Sequence, residues 1–259
     1  MLRTFYFLLT TIIIGFFSCC SIASASHPDR IPILTYHNFD PSIPGSMTIS
    51  TEKFRMQLQW LKEHGYTVIP LKELVAYLQG KMSSLPPKPV VITADDGRKS
   101  VYTYMYPLVR QYNIPVTLFV YPSAISKASY ALTWGQLKEM QQTGLFDIQS
   151  HTYWHPNFKQ DKKTLSAAQY ETFVHNQLIN SKKVLEEKLD THITLLAWPY
   201  GYYDHYLEQE AAKAGYTMAF SIDDRKAKKT ENMMAEPRYM VVGAWGMKAF
   251  AEMVTAALP

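Results

Sequence analysis

The sequence predicts a single α/β barrel behind a short N-terminal leader, and three observations carry that expectation. Eight short apolar runs alternate with stretches of helical periodicity, the pattern of βα units around a parallel sheet. Residues 26–259 have the length that such a barrel occupies as one unit, and no internal repeat, low-complexity tract or long linker divides them. Three polar clusters each follow directly on an apolar run, so a parallel barrel would gather them at one rim.

The leader comes first. Arg3 gives a basic start, Phe5 to Phe17 an apolar core, and Ala23-Ser24-Ala25 a small-residue exit of the A-x-A kind. This is the pattern of a cleaved signal peptide over residues 1–25, with a catalytic domain over 26–259 and a secreted or cell-surface location. The apolar core is shorter than the roughly 20 residues a spanning helix needs, so no stable transmembrane span is expected. Two alternatives stay open, an uncleaved N-terminus acting as an anchor and lipid attachment at Cys19. Both cysteines, Cys19 and Cys20, lie in the leader, so the domain behind it contains no disulfide and depends on its core.

Strands are expected at 31–35, 66–69, 90–93, 116–121, 146–149, 193–197, 218–221 and 239–242. Between the first two, Thr51 precedes Phe54, Leu58 and Leu61 at helical spacing, and Gly65 stands where a C-terminal cap belongs. Thr133 and Gln136 form a capping-box pair ahead of Leu137 and Met140, and Gly144 closes that helix. The longest helix is expected from about Leu165 to Leu189, with Tyr170, Phe173, Leu178 and Val184 on its core face. The Pro/Ser-rich stretches at 41–44 and 83–87 are loops. Asp223-Asp224, followed by Arg225, Lys226, Lys228 and Lys229, is a solvated loop.

The net charge is only +4, far from the basic stripe that nucleic-acid binding shows, so nucleic acid is not an expected partner.

The first polar cluster is Thr93-Ala94-Asp95-Asp96-Gly97. Two adjacent carboxylates at a strand end can divide the labour of hydrolysis, one holding a metal and the other taking a proton from water. The second, His151-Thr152-Tyr153-Trp154-His155, supplies two imidazoles at i and i+4 that can complete the metal's ligands and leave a position open. The third is Trp198-Pro199-Tyr200-Gly201. Taken alone, an Asp-Asp-Gly is a common polar turn and an HxxxH is commonly two unrelated histidines. Their common placement at strand ends distinguishes them.

With Tyr36-His37-Asn38-Phe39 at the start and Pro237-Arg238-Tyr239 at the end, these clusters resemble the polysaccharide deacetylases, carbohydrate esterase family 4. The combination is most similar to the branch acting on poly-β-1,6-N-acetylglucosamine. The resemblance implies a distorted seven-stranded (β/α) barrel and an exported hydrolase that removes N-acetyl groups from an amino-sugar polymer outside the cell or in its wall, whether poly-N-acetylglucosamine, peptidoglycan or chitin-like. It implies Asp95 as general base and Asp96, His151 and His155 as ligands of a divalent metal. That metal would be Zn²⁺, although Co²⁺, Ni²⁺, Fe²⁺ or Mn²⁺ suit the same donors. Trp198, Pro199 and Tyr200 would line the substrate side, with a backbone N–H near Tyr200 stabilising the oxyanion. His37, Arg238, Tyr153 and Trp154 are further candidates for lining the site, and Tyr202 for stacking on sugar rings.

Two positions depart from the family pattern. Ala197 replaces the arginine that usually opens the third motif and pairs with the base, leaving Arg238 or another cation to substitute. No histidine follows His205, so the late histidine that often serves as general acid has no counterpart. These departures keep two other readings open, an O-acetyl esterase and a catalytically silent glycan-binding module. Retention of all four of Asp95, Asp96, His151 and His155 speaks against the second.

Overall fold

The computed structural model describes residues 30–42, 45–229 and 231–255. The leader expected over 1–25, Cys19 included, lies outside the described residues.

The chain runs through β1 (Ile33–Tyr36), β2 (Asn38–Phe39), β3 (Thr48–Ile49), α1 (Thr51–Glu63), β4 (Thr67–Val68), α2 (Leu71–Leu78) and β5 (Pro89–Asp95). A five-residue π-helical turn (Val101–Met105) leads into α3 (Tyr106–Tyr112), followed by β6 (Val116–Val120), α4 (Trp134–Gln142) and β7 (Phe146–Ser150). Then come α5 (Phe158–Thr164), α6 (Ala167–Leu189), β8 (Leu195–Ala197), α7 (His205–Lys213), β9 (Met218–Phe220), β10 (Tyr239–Met240) and α8 (Met247–Thr255). All eight expected strands form. No described helix is long and apolar enough to cross a membrane.

Seven strands pair side by side in the order β10-β1-β5-β6-β7-β8-β9, all parallel, with β4 on the free part of β5. The sheet curls into a half-barrel, and an isolated parallel bridge, Phe220 to Glu236, links β9 at one end to the segment that leads into β10 at the other. This is the distorted seven-stranded α/β barrel that the resemblance implies, with β4 as an added strand. Every residue of β1, β5 and β6 is buried, as a parallel sheet covered on both faces requires.

Strand alternation divides the core in two. Leu34, Val90, Ile92, Leu118 and Leu196 point outward to the surrounding helices. Ile33, Val91, Phe119, Leu195 and Phe220 point inward and meet Leu71, Leu74, Val75 and Leu78 of α2. These four recur at i, i+3, i+4 and i+7, so one face of α2 fills the barrel's concave side. The other closure is by caps: Ser50 for α1, Thr133 with Gln136 for α4, and Ser166 with Gln169 for α6.

The long helix differs from expectation in its buried stripe. It follows Tyr170, Val174, Leu178, Ser181, Leu185 and Leu189, with Phe173 and Val184 half-buried at the edges. Ser181 belongs inside because its hydroxyl bonds Ser150 Oγ at 2.8 Å. A hydrophobic count misses a polar position of that kind.

The closing seam contains a buried acid. Glu236 donates its backbone N–H to Ala219 and accepts from Ser221, both at 2.8 Å, while its Oε2 is buried without a partner. Burial, reinforced by the charge of Glu231, pushes its carboxyl from 4.5 up to about 8. A raised carboxyl means the folded chain keeps a proton that the unfolded chain has released, so this group's contribution to stability falls as pH rises from about 4.5 to 8. Glu236→Gln removes that loss. In a domain of this size each kcal/mol moves Tm by about 2–4 °C, so scanning calorimetry should show the variant at least ~4 °C above wild type at pH 8. The two should melt together near pH 5. An equal difference at both pH values would contradict the assignment.

Candidate active site

The three polar clusters meet at one rim of the barrel because each ends a parallel strand. Asp95 is the last residue of β5, His151 follows β7, and Trp198 follows β8. The backbone turns sharply at each: Asp96, Thr152, His155 and Tyr200 have φ of 74°, 64°, 64° and 57°. Non-glycine residues seldom adopt such values, and their concentration here marks backbone held in place by its surroundings. Gly201 is required for a second reason. Its φ is +66°, and a Cβ would lie 2.3 Å from Ile222 Cγ1.

Asp95 is paired with Arg238. Nη1 donates to Oδ1 at 2.9 Å and Nη2 to Oδ2 at 2.8 Å, with both side chains buried. The guanidinium lies over the Phe119 ring, 5.1 Å from its centre, and donates from Nε to the Ser221 carbonyl at 3.1 Å. Burial alone would raise the Asp95 carboxyl; the charge of Arg238, then His151, and the Arg238 hydrogen bonds outweigh it and hold it at about 2. Arg238 thus gives Asp95 the cationic partner that Ala197 cannot supply. It stands one residue before β10, and β1 lies between β10 and β5 in the sheet.

Asp96 faces the two imidazoles. Its Oδ1 is 3.8 Å from His151 Nε2 and 3.7 Å from His155 Nε2, and one donor atom from each of the three residues falls within a 4.8 Å group. His151 donates from Nδ1 to the carbonyl of Ala197 at 2.8 Å, which turns Nε2 toward Asp96. Burial, then the neighbouring His151, holds His155 below the usual histidine range and so neutral, the form that binds metals. Two imidazoles that present Nε2 and one carboxylate therefore fit a divalent cation, and the carbonyl behind His151 is the kind of support that fixes a ligand's ring orientation.

The loop carrying the histidines is tied down. Thr152 donates its backbone N–H to Ser150 Oγ, Trp154 to Gln177 Oε1, and Ser123 to the carbonyl of Tyr153, at 3.1–3.2 Å. Tyr153 and Trp154 consequently stand outside the cavity, and Trp154 is 52% exposed.

The cavity at this rim measures about 490 Å³. Asp95, Asp96, His151, His155, Trp198, Tyr200 and His37 are among the residues that line it. Tyr200 is 62% exposed and its ring meets His155 edge-on at 4.7 Å. Trp198 is fully buried and donates from its indole to the Met234 carbonyl at 2.8 Å. Pro199 and Arg238 are buried behind the lining, and Tyr202 packs against the outer core. His205 begins α7 at the surface, 84% exposed, beside Glu208.

Sequence reading missed Arg98 and Tyr121 as lining residues. Tyr121 had a usable signal, since it follows β6 at the same rim. Arg98 had only its position, two residues past Asp96.

The fold and the site together define a hydrolase of the deacetylase type. Residues 83–219, more than half of the chain, match the polysaccharide deacetylase family, and the chain belongs to it. A Bacillus subtilis protein, YxkH, that carries the name of a polysaccharide deacetylase is 30% identical over 224 residues, 86% of this chain and 75% of that one. A poly-β-1,6-N-acetyl-D-glucosamine N-deacetylase of Staphylococcus aureus is 27% identical over 198 residues, 75% of this chain and 68% of its own. Among solved structures, the Streptococcus pyogenes deacetylase PplD in complex with acetate matches with a TM-score of 0.78 at 25% identity, covering 89% of this chain and 100% of that one. Family membership makes this chain an enzyme acting on carbon–nitrogen bonds other than peptide bonds.

Proposed function

We propose that this chain is an exported N-deacetylase of a β-1,6-linked N-acetylglucosamine polymer, with residues 1–25 as its signal peptide and 26–259 as its catalytic domain. The observation that carries the reaction is the Asp95–Arg238 pair beside the Asp96, His151 and His155 donor group in one cavity. The relatives named for poly-β-1,6-N-acetyl-D-glucosamine support the polymer class.

In this reading Asp96, His151 and His155 hold a divalent cation, Zn²⁺ by its suitability to two imidazoles and a carboxylate. A cation there would lower the pKa of a water and polarise the acetamide carbonyl. Asp95 accepts the proton of the attacking water, with Oδ2 4.0 Å from His151 Nε2. Arg238 keeps that carboxylate ionised and fixes its plane. The Tyr200 backbone N–H donates to the oxyanion, and the exposed Tyr200 ring offers an apolar face to a sugar. His37, which lines the cavity, is assigned in this reading the role of passing a proton to the departing amine. Water oxygen joins the carbonyl carbon, the C–N bond breaks, and acetate and the free amine leave.

Acetate release tests the assignment. Purified protein supplied with Zn²⁺ is expected to release acetate from β-1,6-linked N-acetylglucosamine oligomers faster than from β-1,4-linked oligomers or acetyl-xylan. A preference for acetyl-xylan would assign an O-acetyl esterase instead, and no release from any of the three would favour a silent binding module.

A further inference from the structure

The two carboxylates at the rim are held by two different arginines. Asp95 is fixed by both nitrogens of the buried Arg238. Asp96 receives one hydrogen bond, from Arg98 Nε to Oδ2 at 3.2 Å, and among the described residues no other hydrogen bond reaches its carboxylate. The oxygen that Arg98 holds is not the one that faces the imidazoles. Oδ1 lies within 3.7 and 3.8 Å of His155 and His151 Nε2, while Oδ2 turns to the guanidinium.

Arg98 is itself positioned. Its guanidinium lies over the Tyr130 ring, 5.4 Å from the centre. A short backbone ladder keeps the two side by side, with Lys99 N–H to the Tyr130 carbonyl at 2.7 Å and Leu132 N–H to the Gly97 carbonyl at 2.8 Å. The Tyr130 hydroxyl then meets the Tyr121 hydroxyl at 3.0 Å, and the Tyr121 ring lies 5.4 Å from that of His155. Contacts thus run from Asp96 through Arg98, Tyr130 and Tyr121 back to His155.

We propose that Arg98, braced by Tyr130, is a positioning residue for the cation site, fixing the rotation of the Asp96 carboxylate so that Oδ1 is presented beside His151 and His155. This rests on the reading that those three residues hold the cation. A positive charge so near also opposes a cation. The Arg98 side chain is 38% exposed, however, so its charge is screened by solvent, whereas the orientation it imposes on a carboxylate with no other donor is not. Orientation outweighs repulsion.

Zn²⁺ affinity, measured by competition with a fluorescent chelator, provides the test. Arg98→Ala is expected to raise the Zn²⁺ Kd about 10-fold or more, the usual effect of losing a partner behind a metal ligand, with unchanged thermal unfolding of the metal-free protein. Arg98→Lys recovers part of the loss, and the visible absorption of Co²⁺-loaded Arg98→Ala differs from wild type. Tyr130→Ala weakens Zn²⁺ by a smaller factor, and the double variant shows less than the product of the two effects because both act through one contact. A Kd for Arg98→Ala equal to or below that of wild type, with wild type binding Zn²⁺ and Asp96→Ala not binding it, overturns this proposal and leaves the ligand assignment standing. Failure of wild type to bind Zn²⁺, or full affinity in Asp96→Ala, overturns both.

Discussion

Arg238→Ala is expected to cost the fold about 3–5 kcal/mol, because it strips the partner from a buried carboxylate. Asp95 is only 2% exposed and Arg238 not at all, so neither charge can turn to solvent when the other is lost. The guanidinium also bonds the Ser221 carbonyl and Thr93 Oγ1, tying β10 to the ends of β9 and β5. Urea unfolding followed by circular dichroism measures the loss. Acetate release should fall with it, since Asp95 loses the group that holds it ionised and oriented. The paired change Asp95→Leu with Arg238→Met separates the two effects. Apolar replacement of a buried ion pair commonly restores stability, so this variant should regain most of it and release no acetate. Single-variant stability within ~1 kcal/mol of wild type would show that the pair is dispensable to the fold.

The second large effect is Asp95→Asn, which should lower kcat by about 10²–10⁴-fold, the range that a general base contributes. Metal content should remain, because Asp95 lies outside the group formed by Asp96, His151 and His155. The amide still accepts one Arg238 hydrogen bond but leaves the guanidinium without its counter-charge, so rates are to be compared at a temperature where both proteins are folded. Asp96→Asn should behave differently and lose the metal together with activity. Elemental analysis alongside kcat distinguishes them. Loss of metal in Asp95→Asn, or its retention with full activity, would reverse the roles assigned to the two carboxylates.

The difference between these two aspartates was legible in the sequence only in part. Asp95, Asp96, His151 and His155 stood out because each motif is contiguous and closes an apolar run, and the parallel topology brings such ends together whatever the intervening chain. Arg238 could only be named as a candidate, since it is 143 positions from Asp95 and becomes its neighbour through the strand order β10-β1-β5. Arg98 and Tyr121 escaped for want of a pattern: one is an ordinary charge after a turn, the other an aromatic ending a strand.

The fold shows the same division. The strands, α1 and α6 through their apolar spacing, and α4 through its capping box announce themselves through local chemistry. By contrast, α2 looks like any amphipathic helix, and only the curled sheet shows that its apolar face fills the barrel's inside. The short β2–β3 pair beside the rim has no local signature at all, because two-residue strands exist by virtue of what they pair with.

The most direct test of the central claim is acetate release from β-1,6-linked N-acetylglucosamine oligomers by one protein preparation, measured as purified, after chelation and dialysis, and after Zn²⁺ is restored. Release that disappears with the metal and returns with it in wild type, and never appears in His151→Ala, is the predicted result. Release that survives complete removal of the metal, or is undiminished in His151→Ala, would contradict the account.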